Sequence, residues 1–228
     1  MKRFYKDVTV TDDLSIRLDG KAVLTPGKRQ LALPTHQLAE AIAREWREQG
    51  DDIVPATMAL TKLANTAIDR STAHREHVLA ELTGFARNDL LYYRADEPAE
   101  LVMRQQKAWG PLLDWVHQIT GARLATTKGV AHIAQDDTAI AALSRSLPTM
   151  DAWTLTGMHA ATTITGSFIL ALALSENRLS HAEAFASSRI DETFQAEKWG
   201  LDAEAEARAR RLAAELEIAA QFMALAGS

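Results

Sequence analysis

The chain of 228 residues contains no cysteine. This absence excludes disulfide bonds, thiolate nucleophiles and zinc sites built on cysteine, and it is compatible with a reducing compartment. The N-terminal residues show neither an apolar signal sequence nor a leader rich in arginine and serine. We therefore expect a protein that acts where it is made, or one from which a presequence was removed.

Long apolar runs are missing as well. Met158–Leu174 comes nearest to a membrane span, but it falls short of the roughly 20 apolar residues that a transmembrane helix needs. Five polar residues interrupt it: His159, Thr162, Thr163, Thr165 and Ser167. We therefore expect a single, fully buried core helix here and no contact with a membrane.

A concentrated positive charge is also lacking. The net charge is −5, and the 25 lysine and arginine residues are scattered along the chain. Binding to a phosphate backbone depends on clustered basic side chains. We therefore expect no nucleic-acid partner.

Motifs for catalysis and for cofactor binding are likewise missing. The Gly-Lys pair within Thr25–Arg29 lacks the glycine-rich loop that cradles a phosphate, so this segment predicts a surface turn. His74 and His77 lie three apart on a predicted helix, but no third metal ligand is evident nearby. We expect no cofactor and no metal. An alternative stays open: a small-molecule-binding or hydrolytic enzyme with Asp69 and these histidines in a cleft between two parts of the chain.

The first residues have the alternation of β-strands. Asp19-Gly20 predicts a tight hairpin turn between strands at Ser15–Leu18 and Lys21–Leu24, because glycine accepts a positive φ. Gln30–Leu33 and Tyr5–Val10 alternate too and predict two more strands. Such a meander is too small to be stable alone, so we expect it to pack on helices.

The rest of the chain has mainly helical periodicity. We predict helices from the N-cap Thr35 to near Gly50, from Thr57 through Phe85, over Pro98–Ile119 up to Gly121, over Thr154–Leu174, and beyond the cap at Asp202. Leu90–Arg94 predicts a short strand and Leu124–Ile133 a strand pair. The expected fold class is α+β, with a small β-rich domain at 1–55 packed on a larger, mainly helical domain at 56–228.

The segment from Ser180 to Gly200 predicts one helix. Ser180 and Glu183 form a capping-box pattern, and Gly200 is placed to end the helix. Glu192, Gln195 and Trp199 lie on one face, opposite the apolar Ile190 and Phe194. This face suits either a polar core network or a surface that binds another protein. The structural alternative is a solvated Glu192 with Trp199 as a core residue near the helix end. Asp191 and Glu192 diverge on a helix, so they do not form a catalytic pair.

Several ordered phrases between about residues 3 and 210 resemble one family. They are Asp19-Gly20-Lys21 with Thr25-Pro26-Gly27-Lys28, Leu33-Pro34-Thr35, Leu38–Trp46, Pro55–Met58, Thr66–Asp69, Asp89–Arg94, Trp109–Trp115 and Asp191-Glu192-x-x-Gln195-x-x-x-Trp199-Gly200. The chain is similar in these phrases to the assembly chaperones of the F-type ATP synthase that hold the α subunit of the catalytic head.

The resemblance implies a molecular chaperone without enzymatic activity. Members of this family bind the unassembled ATP synthase α subunit, prevent its aggregation and yield it to the β subunit. The matching segment implies Glu192, Asp191, Gln195 and Trp199 as partner-binding residues, with Glu192 foremost. We expect a monomer in the bacterial cytoplasm, or in the mitochondrial matrix if a presequence was removed. A scaffold module in another complex is a further alternative, differing only in its partner.

Overall fold

The computed structural model describes residues 1–129, 131–200 and 202–227. Its contacts divide the chain into two compact units. The first comprises Met1–Val78, Asp151–Gly157 and the chain from Ile218 onward, and the second comprises Leu79–Met150 and Met158–Glu217. The expected domain division at 1–55 and 56–228 stays a prediction. No helix in the described ranges is long and apolar enough to cross a membrane.

The first unit contains a three-stranded antiparallel sheet in the order β1 (Val8–Val10), β2 (Ile16–Leu18) and β3 (Lys21–Ala22). The hairpin between β2 and β3 is confirmed: Asp19 and Gly20 have φ values of 48° and 79°, as a tight turn between paired strands requires. Of Tyr5–Val10, only the last three residues form a regular strand. Gln30–Leu33 differs from its predicted strand, because only isolated bridges join it to the sheet.

Helices complete the first unit: α1 (His36–Arg47), α2 (Ala59–Thr66) and the first residues of α3 (Arg75–Arg87). The Thr35 hydroxyl accepts a hydrogen bond from Leu38 N at 3.1 Å and caps α1 as predicted. The Glu45 carboxylate of α1 caps α2, since it accepts from the backbone N of Leu60 at 2.7 Å and of Thr61 at 2.8 Å. The sheet, α1 and α2 thereby enclose one apolar core.

The predicted helix from Thr57 through Phe85 is interrupted in the structure. Between α2 and α3 the chain forms a π-helical turn at Ala67–Ser71, which sequence periodicity does not distinguish from an α-helix. The turn places Asp69 beside the loop at residues 25–27. Asp69 accepts from the Thr25 hydroxyl and from Gly27 N, each at 2.7 Å.

The second unit is built around α4 (Ala99–Thr120), which Gly121 ends with a φ of 76° as predicted. The other elements are α5 (Asp137–Leu143), α6 (Ala152–Thr165), α7 (Phe168–Ser175), α8 (His181–Ser188), α9 (Ile190–Trp199) and α10 (Ala203–Ala226). Of these, α6 and α10 also contribute residues to the first unit. Helices α5, α7, α8 and α9 all contact α4. The fold is therefore α+β with predominant helix, as predicted.

Two short strands of this unit differ from prediction. Leu90–Tyr92 is a 3₁₀ turn, and only Tyr93–Arg94 forms a strand, β4. Among the described residues of the predicted strand pair Leu124–Ile133, only Thr127–Lys128 forms a strand, β5, and it pairs in parallel with β4. Val130 lies outside the described residues. The sequence therefore indicated where the chain is extended, but it did not indicate that β4 and β5 pair with each other.

The apolar segment Met158–Leu174 forms parts of two helices, which corrects the prediction of one core helix. Gly166 has a φ of 69°, and Ser167 caps α7 by accepting from Leu170 N at 3.0 Å. The fully buried Asp89 accepts from the Ser167 hydroxyl at 2.7 Å and from Ile169 N at 3.0 Å. Burial raises the pKa of Asp89 to about 6, although these hydrogen bonds oppose the rise. The Asp89 side chain, distant in sequence, thus stabilises the break between α6 and α7.

Candidate partner-binding site

The segment from Ser180 to Gly200 folds as two helices rather than the predicted one. The capping box is confirmed: Glu183 N donates to the Ser180 hydroxyl at 3.2 Å, and Ser180 N donates to the Glu183 carboxylate at 2.8 Å. Helix α8 ends at Ser188 and α9 begins at Ile190, with Arg189 between them at a φ of −118°. Gly200 ends α9 with a φ of 90°.

The outer face of α9 carries the residues that the sequence placed together. Trp199 is 79% exposed, and the side chain of Glu192 is 50% exposed, while Gln195 is also exposed. Phe194 on the opposite face is buried. The alternative of a core tryptophan at this helix end is therefore wrong. An indole left this exposed offers apolar area together with one hydrogen-bond donor, as protein-binding anchors do.

Asp191 points away from this outer face, toward α4. Its carboxylate accepts a hydrogen bond from Nε2 of Gln105 at 2.6 Å. Gln105 is only 1% exposed, and its Oε1 accepts from Ala95 N at 2.7 Å. Asp191 and Glu192 diverge as expected for neighbours on a helix.

Ion pairs fasten the inner side of α9 to α4. Arg104 of α4 donates to Glu197 at 2.9 Å and to Glu100 at 2.8 Å, and Lys198 donates to Glu100 at 3.3 Å. These hydrogen bonds hold the pKa of both glutamates below its usual range. Exposed pairs stabilise weakly one by one, but a network restricts how α9 turns on its support.

The buried ring of Phe194 lies beneath this network. The Arg104 guanidinium carbon and Lys198 Nζ each stand 5.2 Å from its centroid. Both cations are therefore within cation–π range of the same ring. Ionic and apolar contacts together hold α9 so that its outer face stays directed to solvent.

Glu192 has a local partner on the outer face. Arg189, in the break before α9, donates to the Glu192 carboxylate at 2.8 Å, an i,i+3 pair. Both side chains are partly exposed, so the pair is weak and exchangeable. A cation from a partner could replace Arg189 at this carboxylate.

Two other polar residues noted in the sequence, Asp69 and His159, have partners within the fold. The carboxylate of Asp69 holds the loop at residues 25–27, which forms the predicted surface turn. His159 is partly exposed, and its Nε2 lies 3.1 Å from the Glu81 carboxylate. In the described part of the chain, no three His, Cys, Asp or Glu residues are placed to hold a metal ion.

A family model and solved structures establish what this fold is. The model of the ATP12 chaperone protein matches residues 2–117, half of the chain. The chain belongs to the ATP12 chaperone family. The family of ATP synthase assembly chaperones indicated by the sequence motifs is thereby confirmed.

Solved ATP12 structures have the same fold over nearly the full chain. Atp12 from Paracoccus denitrificans is 39% identical, covers 99% of this chain and 98% of its own, and has a TM-score of 0.92. An Asp-to-Lys mutant of that protein is also 39% identical, with coverages of 99% and 97% and a TM-score of 0.94. Atu1473 from Agrobacterium tumefaciens, a proposed chaperone, is 40% identical, with coverages of 100% and 86% and a TM-score of 0.93.

Sequence reasoning missed the α4 residues that support α9. Gln105 shares a helical stripe with Trp109, Leu112 and Val116, all of them buried. A polar side chain within such a stripe requires a hydrogen-bond partner. That signal was present in the sequence, but it does not reveal that the partner is Asp191, 86 positions away.

Proposed function

We propose that this ATP12 family member binds the unassembled α subunit of ATP synthase, prevents its aggregation and yields it to the β subunit. The observation that supports the proposal most strongly is the 79% exposure of Trp199. Its helix, α9, is held to α4 by ion pairs on the opposite face. Tryptophan is enriched among the few residues that supply most of the binding energy at protein interfaces. We assign the client contact to Trp199, Gln195 and Glu192.

The physical task of such a chaperone is to cover an apolar interface for a limited time. A subunit without its neighbours exposes surface that would otherwise drive aggregation. The cover needs only moderate affinity, because the permanent partner then displaces it by mass action. No step of this cycle requires nucleotide hydrolysis, and we propose that the chain acts as a monomer without enzymatic activity, in the bacterial cytoplasm.

Each residue of the outer face has a separate role in this proposal. Trp199 enters an apolar pocket of the α subunit and supplies most of the affinity. Gln195 donates and accepts hydrogen bonds at the rim. Glu192 pairs with a basic residue of the α subunit in place of Arg189, which orients the complex more than it strengthens it.

The test is light scattering of α subunit diluted from denaturant, with wild type, Glu192→Lys or Glu206→Lys added. Glu206 is a matched control, because its side chain is 49% exposed and pairs with Arg210 at i,i+4 on α10. Both variants therefore lose one local ion pair and change the charge by the same amount. Each is expected to destabilise the fold by less than about 1 kcal/mol.

We expect wild type and Glu206→Lys to suppress the scattering, and Glu192→Lys to fail at the same concentration. Equal suppression of the scattering by both variants would show that Glu192 does not contact the client. A lower melting temperature that accompanies the lost protection in Glu192→Lys would show that Glu192 stabilises the fold rather than contacting the client. Scattering that wild type leaves unchanged would contradict the proposed function itself.

A further inference from the structure

Helix α4 grips the chain on both sides of the break at Arg189. We propose that Gln105 and Trp109 form a clamp that sets the direction of α9, and that Asp191 is a positioning residue held by this clamp rather than a contact to the client. This inference rests on the proposed function, because the direction of α9 decides where Trp199 points. The sequence motif groups Asp191 with Glu192, but the two side chains have different surroundings.

The first half of the clamp is the hydrogen bond between Gln105 and Asp191. The amide of Gln105 is buried and engaged at both ends, with Ala95 N at 2.7 Å and the Asp191 carboxylate at 2.6 Å. A client group that displaced Gln105 from Oδ1 of Asp191 would leave the buried Nε2 of Gln105 without this acceptor. A client contact that breaks this hydrogen bond is therefore disfavoured.

The second half of the clamp is Trp109, one helical turn further along α4. Its indole Nε1 donates to the backbone oxygen of Ser187 at 2.8 Å, near the end of α8. Helix α4 therefore contacts the chain at Ser187 and at Asp191, on either side of Arg189, where the helix is broken. Since an α-helix turns 100° per residue, a slip of one residue at Asp191 would turn the outer face of α9 by about 100°.

Arg94 joins the two halves. Its guanidinium carbon stands 5.0 Å above the Trp109 ring, and its Nη1 donates to the backbone oxygen of Gln105 at 3.0 Å. Arg94 is the last residue of β4, and the backbone N of the next residue, Ala95, donates to the Gln105 side chain. The Arg94 guanidinium and the backbone N of Ala95 thus stabilise Gln105 and Trp109 in one arrangement. A site that must keep one geometry needs such supporting contacts.

The test exchanges the donor and the acceptor between Gln105 and Asp191. Gln105→Glu places two carboxylates against each other, so we expect α9 to be displaced. Asp191→Asn keeps a neutral hydrogen bond, because its Oδ1 still accepts from Gln105. The double variant Gln105→Glu/Asp191→Asn restores a charge-assisted hydrogen bond in the reverse direction, with the original net charge.

We measure the concentration of each variant that halves α-subunit aggregation, and hydrogen exchange of the α9 amides without client. Gln105→Glu is expected to need at least tenfold more protein and to exchange faster in α9. Asp191→Asn should stay within threefold of wild type, and the double variant should return to within threefold in both readouts. Glu192 is unchanged throughout, so any rescue comes from the clamp.

A direct client contact by Asp191 would give a different result. Asp191→Asn alone would then lose protection, and the double variant would not recover it, which overturns the inference. Should Gln105→Glu fail to fold, a folded and protective double variant supports the clamp, and an unfolded or inactive one overturns it. If wild type does not protect the α subunit, the proposed function is wrong. The clamp is then tested by hydrogen exchange of the α9 amides alone, which should be faster in Gln105→Glu and restored in the double variant.

Discussion

Replacing Trp199 with alanine removes the anchor of the proposed interface while leaving the core untouched. A tryptophan buries about 150–250 Å² when fully covered, and Trp199 is 79% exposed. About 160 Å² is therefore available to a client, which at about 25 cal/mol/Å² corresponds to an upper bound of about 4 kcal/mol. If half of this is realised, the loss is about 2 kcal/mol, or roughly thirtyfold in affinity.

The assay for Trp199→Ala is the concentration of chain that halves aggregation of the diluted α subunit. Ile119→Ala on α4 is the control, because Ile119 is also a large exposed apolar side chain, at 53%. We expect roughly thirtyfold weaker protection from Trp199→Ala and none of this loss from Ile119→Ala. Both variants should keep their unfolding free energy within about 0.5 kcal/mol, as exposed substitutions usually do.

Two results would refute this reasoning. Protection unchanged in Trp199→Ala would show that the exposed indole does not contact the client. A loss of more than about 1 kcal/mol in unfolding free energy would show instead that Trp199 stabilises the fold, so that weaker protection could not be assigned to lost contact.

Two further predictions concern the free energy of unfolding. Burial raises the pKa of Asp89 from 3.8 to about 6, so its contribution to stability is fully present below pH 3.8 and is lost as pH rises through 6. The urea-unfolding difference between wild type and Asp89→Asn should therefore fall by about 2 kcal/mol between pH 4 and pH 7.5, and a constant difference would contradict the burial argument. Gly157→Ala places Cβ 2.2 Å from Met223 Cγ, so overpacking should outweigh the roughly 1 kcal/mol gain in helix propensity and destabilise by about 1–2 kcal/mol. Gly84→Ala in α3 adds a Cβ that meets no atom within 4 Å apart from its own helix backbone. It should be neutral or stabilising in the same assay, and equal effects of the two changes would contradict the clash at Gly157.

Features with short-range causes were predictable from the sequence. The Asp19-Gly20 hairpin, the N-cap at Thr35 and the capping box at Ser180 each depend on residues within three positions. Gly121 and Gly200 end their helices with a positive φ, as predicted. Local backbone preference and local hydrogen bonds decide such features, and both can be inferred from neighbouring residues.

Features with distant causes were not predictable. The break before α7 depends on Asp89, which is 78 positions from Ser167, and the support of α9 depends on Gln105, which is 86 positions from Asp191. Helical periodicity continues through both breaks, so it predicted one helix where two form. Periodicity shows which residues share a face, but it does not show which remote side chain interrupts the helix.

The candidate site was predictable to a similar degree. Spacing alone placed Glu192, Gln195 and Trp199 together, and the structure leaves all three exposed. Spacing did not show that Arg189 pairs with Glu192, nor that Asp191 faces α4. Those contacts depend on how α9 packs, which only the folded chain determines.

We propose that the chain holds the α subunit and then yields it to β. The most direct measurement is native mass spectrometry of wild-type chain mixed with freshly diluted α subunit, before and after addition of β subunit. We expect a 1:1 complex of chain and α subunit that disappears as complexes of α and β form and free chain returns. No complex with α, or a complex that persists in excess β, would contradict it.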